Sequence, residues 1–466
     1  MSDFVSPEIG QVYHARQDGR PLDRARLAEA TSIETSRFVE THPRSARAFE
    51  DARRTLRTGV PMDWMVKWAG PFPIFVQSAH GTVVRDIDGN DYVDFCLGDT
   101  GAMAGHAPEA VAARLSQQLV GGLTTMLPTT DAVVAGELLA ERFGLPLWEF
   151  ATTATDANRA VVRHARRLTG RTKICVFNWC YHGMLDETLV RAASDGSVAS
   201  RVDGAGIDVR ATTKVVEFND LEGLERALRP GDVACVLTEP ALTNVGIVLP
   251  EPGFHEGLRE LTRATGTLLA IDETHTLCCG PGGFTGAHGL TPDFLTVGKA
   301  IGGGFPVATW GTRHDIAEAM EPSHKLQALE LTGTGSTLSG SQLAVAAVRA
   351  TLENLLSDTD FDRMRYLAGR FGDAVVNVAS SAGLNWSATA LGGRVEYAFG
   401  PPARNGQSAV DATDPALEEF LHLWALNRGV LLTPFHNMAL MSPATTQRDV
   451  DIHTRIFEDA VAALTG

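Results

Sequence analysis

Two short apolar segments, each followed by one charged residue, restrict the fold of this 466-residue chain more than any other feature. They lie in residues 267–305, TLLAIDETHTLCCGPGGFTGAHGLTPDFLTVGKAIGGGF, where TLLAI precedes Asp272 and DFLTVG precedes Lys299. Strands that are apolar along their whole length are typical of parallel sheets covered on both faces, and functional residues of such sheets collect beyond the carboxyl ends of the strands. The pattern therefore predicts an α/β fold with Asp272 and Lys299 at the same edge of a sheet.

Lys299 differs in its surroundings from the other lysines of the chain. The sequence contains five lysines, Lys67, Lys173, Lys214, Lys299 and Lys325. Only Lys299 both follows an apolar strand and precedes a Gly-Gly-Gly turn, which lets a second molecule approach closely. Burial at such a position would favour an uncharged amine that attacks carbonyl groups, although a structural ion pair with Asp272 is the alternative.

The middle of the chain alternates apolar runs with helical patterns. LWEFAT, KICVFN and VACVLTEP are predicted to be strands, and helices are predicted over residues 156–168, 221–228 and 254–265. Alternation of this kind with short connections is typical of a mostly parallel sheet that has helices on both faces. The sequence therefore predicts a large α/β domain.

Three segments with different patterns are predicted to divide the chain. Residues 1–72 contain a charged helical arm, broken near Pro43, and an aromatic loop. Residues 73–345 begin with an antiparallel meander at 73–95 and continue into the large domain. Residues 346–466 combine long helical patterns with shorter strands, and we expect them to form a smaller α+β C-terminal domain.

The composition indicates a soluble enzyme with small substrates. The formal net charge of −16 and the isoelectric point near 5.3 argue against a nucleic-acid-binding surface. No apolar run reaches the ~18 residues of a membrane span, and the N-terminal residues lack an apolar signal segment, so we expect a cytoplasmic protein. The six cysteines show no CxxC spacing and are expected to be reduced thiols rather than metal ligands.

A predicted strand runs directly into a predicted helix at TTATDAN, residues 152–158. Free N–H groups and the positive end of the helix dipole make a helix N-terminus a position that can bind phosphate. Thr153 and Thr155 would add hydroxyl groups to such a site. The alternative is an ordinary helix whose first turn is capped by a threonine or aspartate side chain, and by itself the pattern favours that alternative.

The motifs around Asp272 and Lys299, IDET followed by TVGKAIGGG, resemble those of the class III, fold-type I aminotransferases that use pyridoxal 5′-phosphate (PLP), nearest to the glutamate-1-semialdehyde 2,1-aminomutase-like branch. The resemblance begins near Gly59 and covers most of the chain, with several motifs in the family's order. It implies a fold-type I PLP transferase in which Lys299 forms a Schiff base with the cofactor. Asp272 would keep the pyridine nitrogen protonated.

The resemblance also assigns roles to residues of other motifs. Tyr181, in a Tyr-His-Gly motif, would stack on the pyridine ring. Glu239, in a Glu-Pro motif, would help to hold the region of the ring hydroxyl group or the residues next to it. Thr337 matches the threonine that reaches the phosphate of the neighbouring subunit's cofactor, which implies a homodimer with shared active sites.

Two cofactor positions depart from the family pattern. The segment TATDAN stands where the family has Ser-Gly-Thr-Glu-Ala-Asn, so Ala154 replaces a glycine and narrows the permitted backbone conformations. The aliphatic residue that usually follows Asp-Glu and packs on the ring is replaced by Thr274. The resemblance implies that Thr153, Ala154, Thr155 and Thr274 bind the cofactor, with a phosphate loop of altered shape.

The loop GVPMDWMVKWAGPFP lies where members of the family recognise their substrates. Trp64, Lys67 and Trp68 would form an apolar wall with one cation that meets a carboxylate, as suits an α- or β-amino acid. The alternative is that both tryptophans pack against the helical arm and Lys67 is solvated. The arginine that several relatives have in this loop for a substrate carboxylate is absent.

The resemblance implies a PLP-dependent aminotransferase that moves an amino group from an amino acid or amine to an oxo-acid acceptor through Lys299. One alternative is an intramolecular aminomutase of the glutamate-1-semialdehyde type, and another is a PLP-dependent lyase. A third is a catalytically silent relative, against which the intact Lys299 and Asp272 argue. The sequence does not specify the substrate pair.

Overall fold

The computed structural model describes residues 10–14, 19–321 and 333–466. Contacts within the chain divide it into two compact units. The first unit comprises Met1–Pro108, Asp360–Pro402 and Ala412–Gly466, and the second comprises Glu109–Thr359 and Ala403–Asp411. Lys325 lies outside the described residues.

A seven-stranded sheet runs through the second unit. From one edge to the other its strands are Leu147–Ala151, Ala308–Thr312, Phe294–Val297, Leu268–Asp272, Val233–Thr238, Lys173–Phe177 and Thr213–Val216. Neighbouring strands are parallel except at Ala308–Thr312, which is antiparallel to both of its neighbours. The predicted α/β fold with a mostly parallel sheet is therefore confirmed.

Helices alternate with these strands along the chain, as predicted. Among the described residues of the second unit, the α-helices are Glu109–Gly121, Thr130–Phe143, Ala154–Thr169, Val209–Thr212, Leu221–Leu228, Phe254–Thr265, Gly283–His288, His314–Met320, Gln342–Asn354 and Gly406–Asp411. Two short 3-10 helices, Thr276–Cys279 and Lys299–Gly302, follow strands of the sheet, and Val190–Ala192 pairs with Val198–Ser200 in a separate hairpin.

The inner strands of the large sheet are buried because apolar side chains cover both of its faces. All six residues of Val233–Thr238 are buried, as are the last four residues of Leu268–Asp272. Helix residues such as Val161 and Leu258 belong to the same hydrophobic cluster. The apolar runs that made these segments recognisable as parallel strands thus form the core of the unit.

The first unit contains two four-stranded sheets. One has the strand order Gly10–His14, Ser387–Leu391, Arg394–Ala398 and Met438–Leu440, and the other has the order Val430–Leu431, Asp91–Asp94, Val83–Asp86 and Val76–His80. Its helices are Arg24–Thr41, Pro43–Ala52, nearly all of Asp358–Ser381, Pro415–Leu426 and Gln447–Thr465, with a 3-10 helix at Asp63–Lys67. The break in the arm falls at Pro43, which begins the second helix because proline has no N–H group to donate.

The two compact units do not follow the predicted boundaries at residues 72 and 345. The meander strand Asp91–Asp94 pairs in parallel with Val430–Leu431, so the meander groups with C-terminal residues in the first unit. That pairing joins segments more than 300 residues apart, and a two-residue strand gives no periodicity by which it could be recognised. The division into three domains stays a prediction.

All six cysteines lie among the described residues, where each is buried and outside any disulfide bond. Cys175 and Cys235 lie in the hydrophobic cluster of the second unit, where burial raises the pKa of each thiol to about 12. Within the described residues, no helix combines the length and the apolar character needed to cross a bilayer.

Candidate active site

Asp272 and Lys299 lie at the same edge of the large sheet, where the sequence predicted them. Asp272 is the last residue of its strand and pairs with Thr296 on the neighbouring parallel strand. That strand ends at Val297, and Lys299 begins the 3-10 helix that follows. Because the two strands are parallel and adjacent, their carboxyl ends bring both residues to one site.

The Asp272 carboxylate is buried and accepts hydrogen bonds from three groups. Asn158 Nδ2 lies 2.7 Å and His182 Nδ1 3.0 Å from Asp272 Oδ2, and the Thr274 N–H donates to Oδ1 at 3.1 Å. Burial opposes the charged form of this carboxyl group, but the hydrogen bonds and the charge of His182 outweigh burial and hold the pKa of Asp272 below its usual value. The site thus contains a desolvated carboxylate that stays ionised.

His182 supplies the positive charge beside Asp272. Burial disfavours the protonated imidazole, but Cys180 and Asp272 together raise the pKa of His182 well above its usual value. The predicted alternative for Asp272 was an ion pair with Lys299. Asp272 instead forms its buried ion pair with His182.

Lys299 has an unusual backbone conformation and a defined side-chain contact. Its φ of +47° is in the left-handed region, which costs a non-glycine residue about 1–2 kcal/mol. Strained residues of this kind persist where the surrounding structure fixes them, often at functional sites. The Lys299 Nζ lies 2.8 Å from His275 Nε2.

The remaining lysines of the described residues have other environments. Lys173 and Lys214 both form ion pairs with Asp232, at 2.9 and 2.5 Å. Lys67 belongs to the first unit, where its Nζ lies over the rings of Trp64 and Phe435, 5.1 and 5.5 Å from their centroids. None of these three lysines lies at the carboxyl end of a strand beside Asp272, which supports the choice of Lys299 as the reactive lysine.

The predicted phosphate loop begins the helix Ala154–Thr169. Thr153 caps this helix: its Oγ1 accepts from the Asp156 N–H at 3.2 Å and donates to the Asp156 carboxylate at 2.8 Å. The Thr155 Oγ1 accepts from the Met184 N–H at 3.1 Å. Both hydroxyl groups therefore have protein partners, so the backbone N–H groups of the first turn are the stronger candidates for phosphate ligands.

Two glycines let the separate motifs of the site pack against one another. A Cβ atom on Gly298 would lie 2.8 Å from the Cβ of Ala154 and 3.4 Å from Thr274 Oγ1. Gly183 has a φ of +85°, and a side chain there would collide with Thr155. The substitution of glycine by Ala154 is thus accommodated by the absence of a side chain at Gly298, directly before Lys299.

Tyr181 and Glu239 lie close to this group of residues. Tyr181 is half-buried and directly precedes His182. Glu239 is buried beyond the end of the strand Val233–Thr238, where Thr243 donates to it through both its N–H and its hydroxyl group. Burial raises the pKa of Glu239, the opposite direction from Asp272, so the two carboxyl groups are suited to different roles.

Thr337 is exposed in the turn before the helix Gln342–Asn354 of the second unit.

The aromatic loop residues belong to the first unit. Trp64 packs edge-to-face on Phe435, with 4.9 Å between the ring centroids. Trp68 packs on a cluster that contains Phe38 of the helical arm, as the packing alternative predicted. The substrate roles of Trp64, Lys67 and Trp68 stay predictions.

The residues around Asp272 fit PLP. Asn158 Oδ1, Glu239 Oε1 and Thr274 Oγ1 are buried atoms without a hydrogen-bond partner among the described residues. Unpaired buried polar atoms are uncommon in proteins, and they are expected where a site binds a polar molecule. An ionised carboxylate, a helix N-terminus and an amine suit the pyridine nitrogen, the phosphate and the aldehyde of this cofactor.

His275 and the roles of Asn158 and His182 were not predicted from the sequence. Asn158 reaches Asp272 across 114 residues of sequence, and His182 does so across 90. His275 follows Asp272 by three residues, so the strand-end rule that identified Asp272 could also have identified His275.

Residues 64–461 match the protein family described as Aminotransferase class-III. A glutamate-1-semialdehyde 2,1-aminomutase of Roseiflexus castenholzii is 32% identical over 399 residues, which cover 84% of this chain and 90% of the relative. A solved glutamate-1-semialdehyde aminomutase from Pseudomonas aeruginosa PAO1 is 47% identical, with a TM-score of 0.91 and coverage of 95% of this chain and 99% of that chain. An omega-transaminase from Sphaerobacter thermophilus is 27% identical, with a TM-score of 0.82 and coverage of 91% and 98%.

Proposed function

The chain belongs to the class III aminotransferases, which use PLP and share the fold-type I architecture, and from that premise we propose that it transfers an amino group from an amino acid or amine to an oxo-acid. The observation that carries this proposal is the ionised, buried Asp272 at the same sheet edge as Lys299. An active family member needs both groups, so a catalytically silent relative is disfavoured.

Each residue of the site has a proposed role. Lys299 holds the cofactor, and its Nζ then moves a proton at the substrate carbon that carries the amino group. Asp272, oriented by Asn158 and His182, holds a proton on the ring nitrogen. When bound, PLP supplies an electron-withdrawing ring that stabilises negative charge on the substrate carbon.

Three further groups would hold the cofactor in place. The first turn of the helix Ala154–Thr169, with Thr153 at its cap, would bind the phosphate through N–H groups. Tyr181 would stack on the ring, and Glu239 would lie near the ring hydroxyl group. Thr274 would contact the ring where the family usually has an aliphatic residue.

The second candidate is an intramolecular aminomutase, which two similar proteins favour because they are named glutamate-1-semialdehyde aminomutases, at 32% and 47% identity. The 27% identical omega-transaminase favours amino-group transfer between two molecules. The same residues would serve both reactions, because the early steps are shared. The difference lies in whether a separate oxo-acid accepts the amino group.

A screen of amino donors against oxo-acid acceptors distinguishes these functions. For an aminotransferase we expect one equivalent of oxo-acid to be consumed for each donor that loses its amino group, measured by mass spectrometry. For an aminomutase, glutamate-1-semialdehyde would rearrange without an added acceptor. Release of ammonia in place of either result would indicate a lyase.

We also propose that the protein is a homodimer whose active sites are shared between subunits. Large apolar side chains are exposed in the second unit, among them Val120 at 92%, Met126 at 75% and Leu127 at 71%. Exposed apolar side chains that cluster along the sequence are typical of protein interfaces. Leu338, next to Thr337, is also exposed at 55%, which supports an interface that includes the turn containing Thr337.

Thr337→Ala should weaken retention of PLP without changing the oligomeric state. A hydrogen bond to a charged phosphate contributes about 1.5–3 kcal/mol, or roughly 10–100-fold in affinity. The measurement is the PLP dissociation constant, with light scattering for the oligomer. Ser336→Ala is the matched control, because its hydroxyl group already bonds to Ser339 at 3.0 Å, and it should retain PLP normally. An active monomer would contradict the shared site.

A further inference from the structure

His275 contacts the atom on which the proposed reaction depends. Its Nε2 lies 2.8 Å from Lys299 Nζ, within the 2.6–3.2 Å range over which a side chain can take a proton directly. His275 is half-buried and directly precedes the 3-10 helix Thr276–Cys279. His275 and Lys299 thus lie beyond the ends of two adjacent parallel strands.

The backbone on both sides of His275 is fixed by the buried carboxylate of Glu273. This carboxylate accepts from the Thr276 hydroxyl group at 2.5 Å and from the N–H groups of Phe284 and Thr285 at 3.0 and 2.5 Å. The Glu273 N–H in turn donates to Thr296 O at 2.8 Å, which joins the turn to the neighbouring strand. The His275 ring is therefore presented from a rigid turn.

The chemistry of the two groups sets the direction of this hydrogen bond. A lysine ammonium group has only protons to donate, so His275 Nε2 accepts and the ring proton lies on Nδ1. Before Lys299 can form a bond to a carbonyl carbon, its Nζ must lose a proton to expose a lone pair. The His275 imidazole is in direct contact with that nitrogen.

We propose that His275 is the general base for Lys299, an inference that rests on the proposed use of Lys299 to hold PLP. Nε2 takes one proton from Nζ as the Nζ lone pair forms a bond to the aldehyde carbon of the cofactor. The C–O bond then breaks, the proton held by His275 returns to the departing oxygen, and a second proton from Nζ completes a water molecule. Nζ keeps one proton in the new C=N bond, so charge and atoms balance.

The test measures how fast the apoprotein bonds to PLP, without any amino donor. Stopped-flow visible absorbance at increasing PLP concentration gives a plateau rate constant for bond formation and a half-saturating concentration for binding. We expect His275→Ala and His275→Gln to lower the plateau about 100-fold or more, with half-saturation unchanged. Added imidazole should restore the His275→Ala rate and leave that of His275→Gln unchanged.

His288→Gln is the matched control, because the exposed His288 ring stacks on Phe284 with 3.9 Å between the ring centroids, and its plateau should equal that of the wild type. A wild-type plateau in His275→Gln would mean that the contact merely orients the amine, and the proposal would be overturned. Absence of an imidazole response in folded His275→Ala would overturn it as well.

Peptide mapping after borohydride reduction separates this proposal from the proposed function. A pyridoxyl group on another lysine overturns both. Normal attachment to Lys299, slowed in the His275 variants and rescued by imidazole, supports the role of His275 even if no amino transfer is found.

Discussion

Lys299→Ala should remove the visible absorbance band of the Schiff base and lower activity by about 10⁴-fold or more. The variant loses both the nucleophile that holds PLP and the group that moves a proton at the substrate, and proton transfer by a positioned side chain alone contributes about 10²–10⁴-fold. Alanine keeps the Cβ atom, so the backbone cost of φ +47° stays the same. A loss of activity in the folded variant would therefore reflect lost chemistry rather than a changed backbone.

Two other lysines serve as controls for this variant. Lys173→Ala and Lys214→Ala each remove one partner of Asp232, and both should retain absorbance and activity. Borohydride reduction of the wild type, followed by peptide mapping, should find the pyridoxyl group on Lys299. Its discovery on Lys67, Lys173, Lys214 or Lys325 would refute the central assignment.

The large sheet could be predicted because its strands obey a simple rule. Parallel strands covered on both faces are continuous apolar runs, and Val233–Thr238 and Leu268–Asp272 are of this kind. The strand Ala308–Thr312 was not predicted because ATWGT is not a continuous apolar run, since it contains two threonines and Gly311, and it is antiparallel to its neighbours. Its place in the sheet depends on pairing with Leu147–Ala151, which is distant in sequence.

The site was predictable where its residues directly follow strands. Asp272 and Lys299 satisfy that condition, whereas the hydrogen bond from Asn158 to Asp272 depends on how a helix packs on the sheet. Thr153 illustrates a different limit, since the same residue type caps helices and binds phosphates, and only the bond to Asp156 shows the capping role. Local sequence therefore identified the residues at the carboxyl ends of the strands, but not the residues that form hydrogen bonds with them.

The environment of Asp272 explains why its charge should matter more than its shape. An unperturbed aspartate has a pKa of about 3.9, and the pKa of Asp272 is lower still despite burial. Ionised Asp272 therefore stabilises the folded protein at pH values above the pKa that this aspartate has in the unfolded chain. This stabilisation is lost as the pH falls through the lower pKa of Asp272 in the folded protein. At neutral pH the carboxylate is fully ionised beside His182.

Asp272→Asn should slow proton abstraction by about 10²–10³-fold, or roughly 2.7–4 kcal/mol, the loss typical of an electrostatic contact in a dry site. A neutral amide cannot hold the ring nitrogen protonated, although it still accepts a hydrogen bond from Asn158. Single-turnover rates measure this step directly. The matched control is Asp293→Asn, which removes the buried carboxylate that pairs with Arg259 and Arg313 at the opposite end of the neighbouring strand. That variant should be less stable by about 3–5 kcal/mol but abstract the proton at the normal rate. If Asp272→Asn kept the wild-type single-turnover rate, the charge of Asp272 would have no part in the chemistry, and the carboxylate would serve only to hold Asn158 and His182 in place.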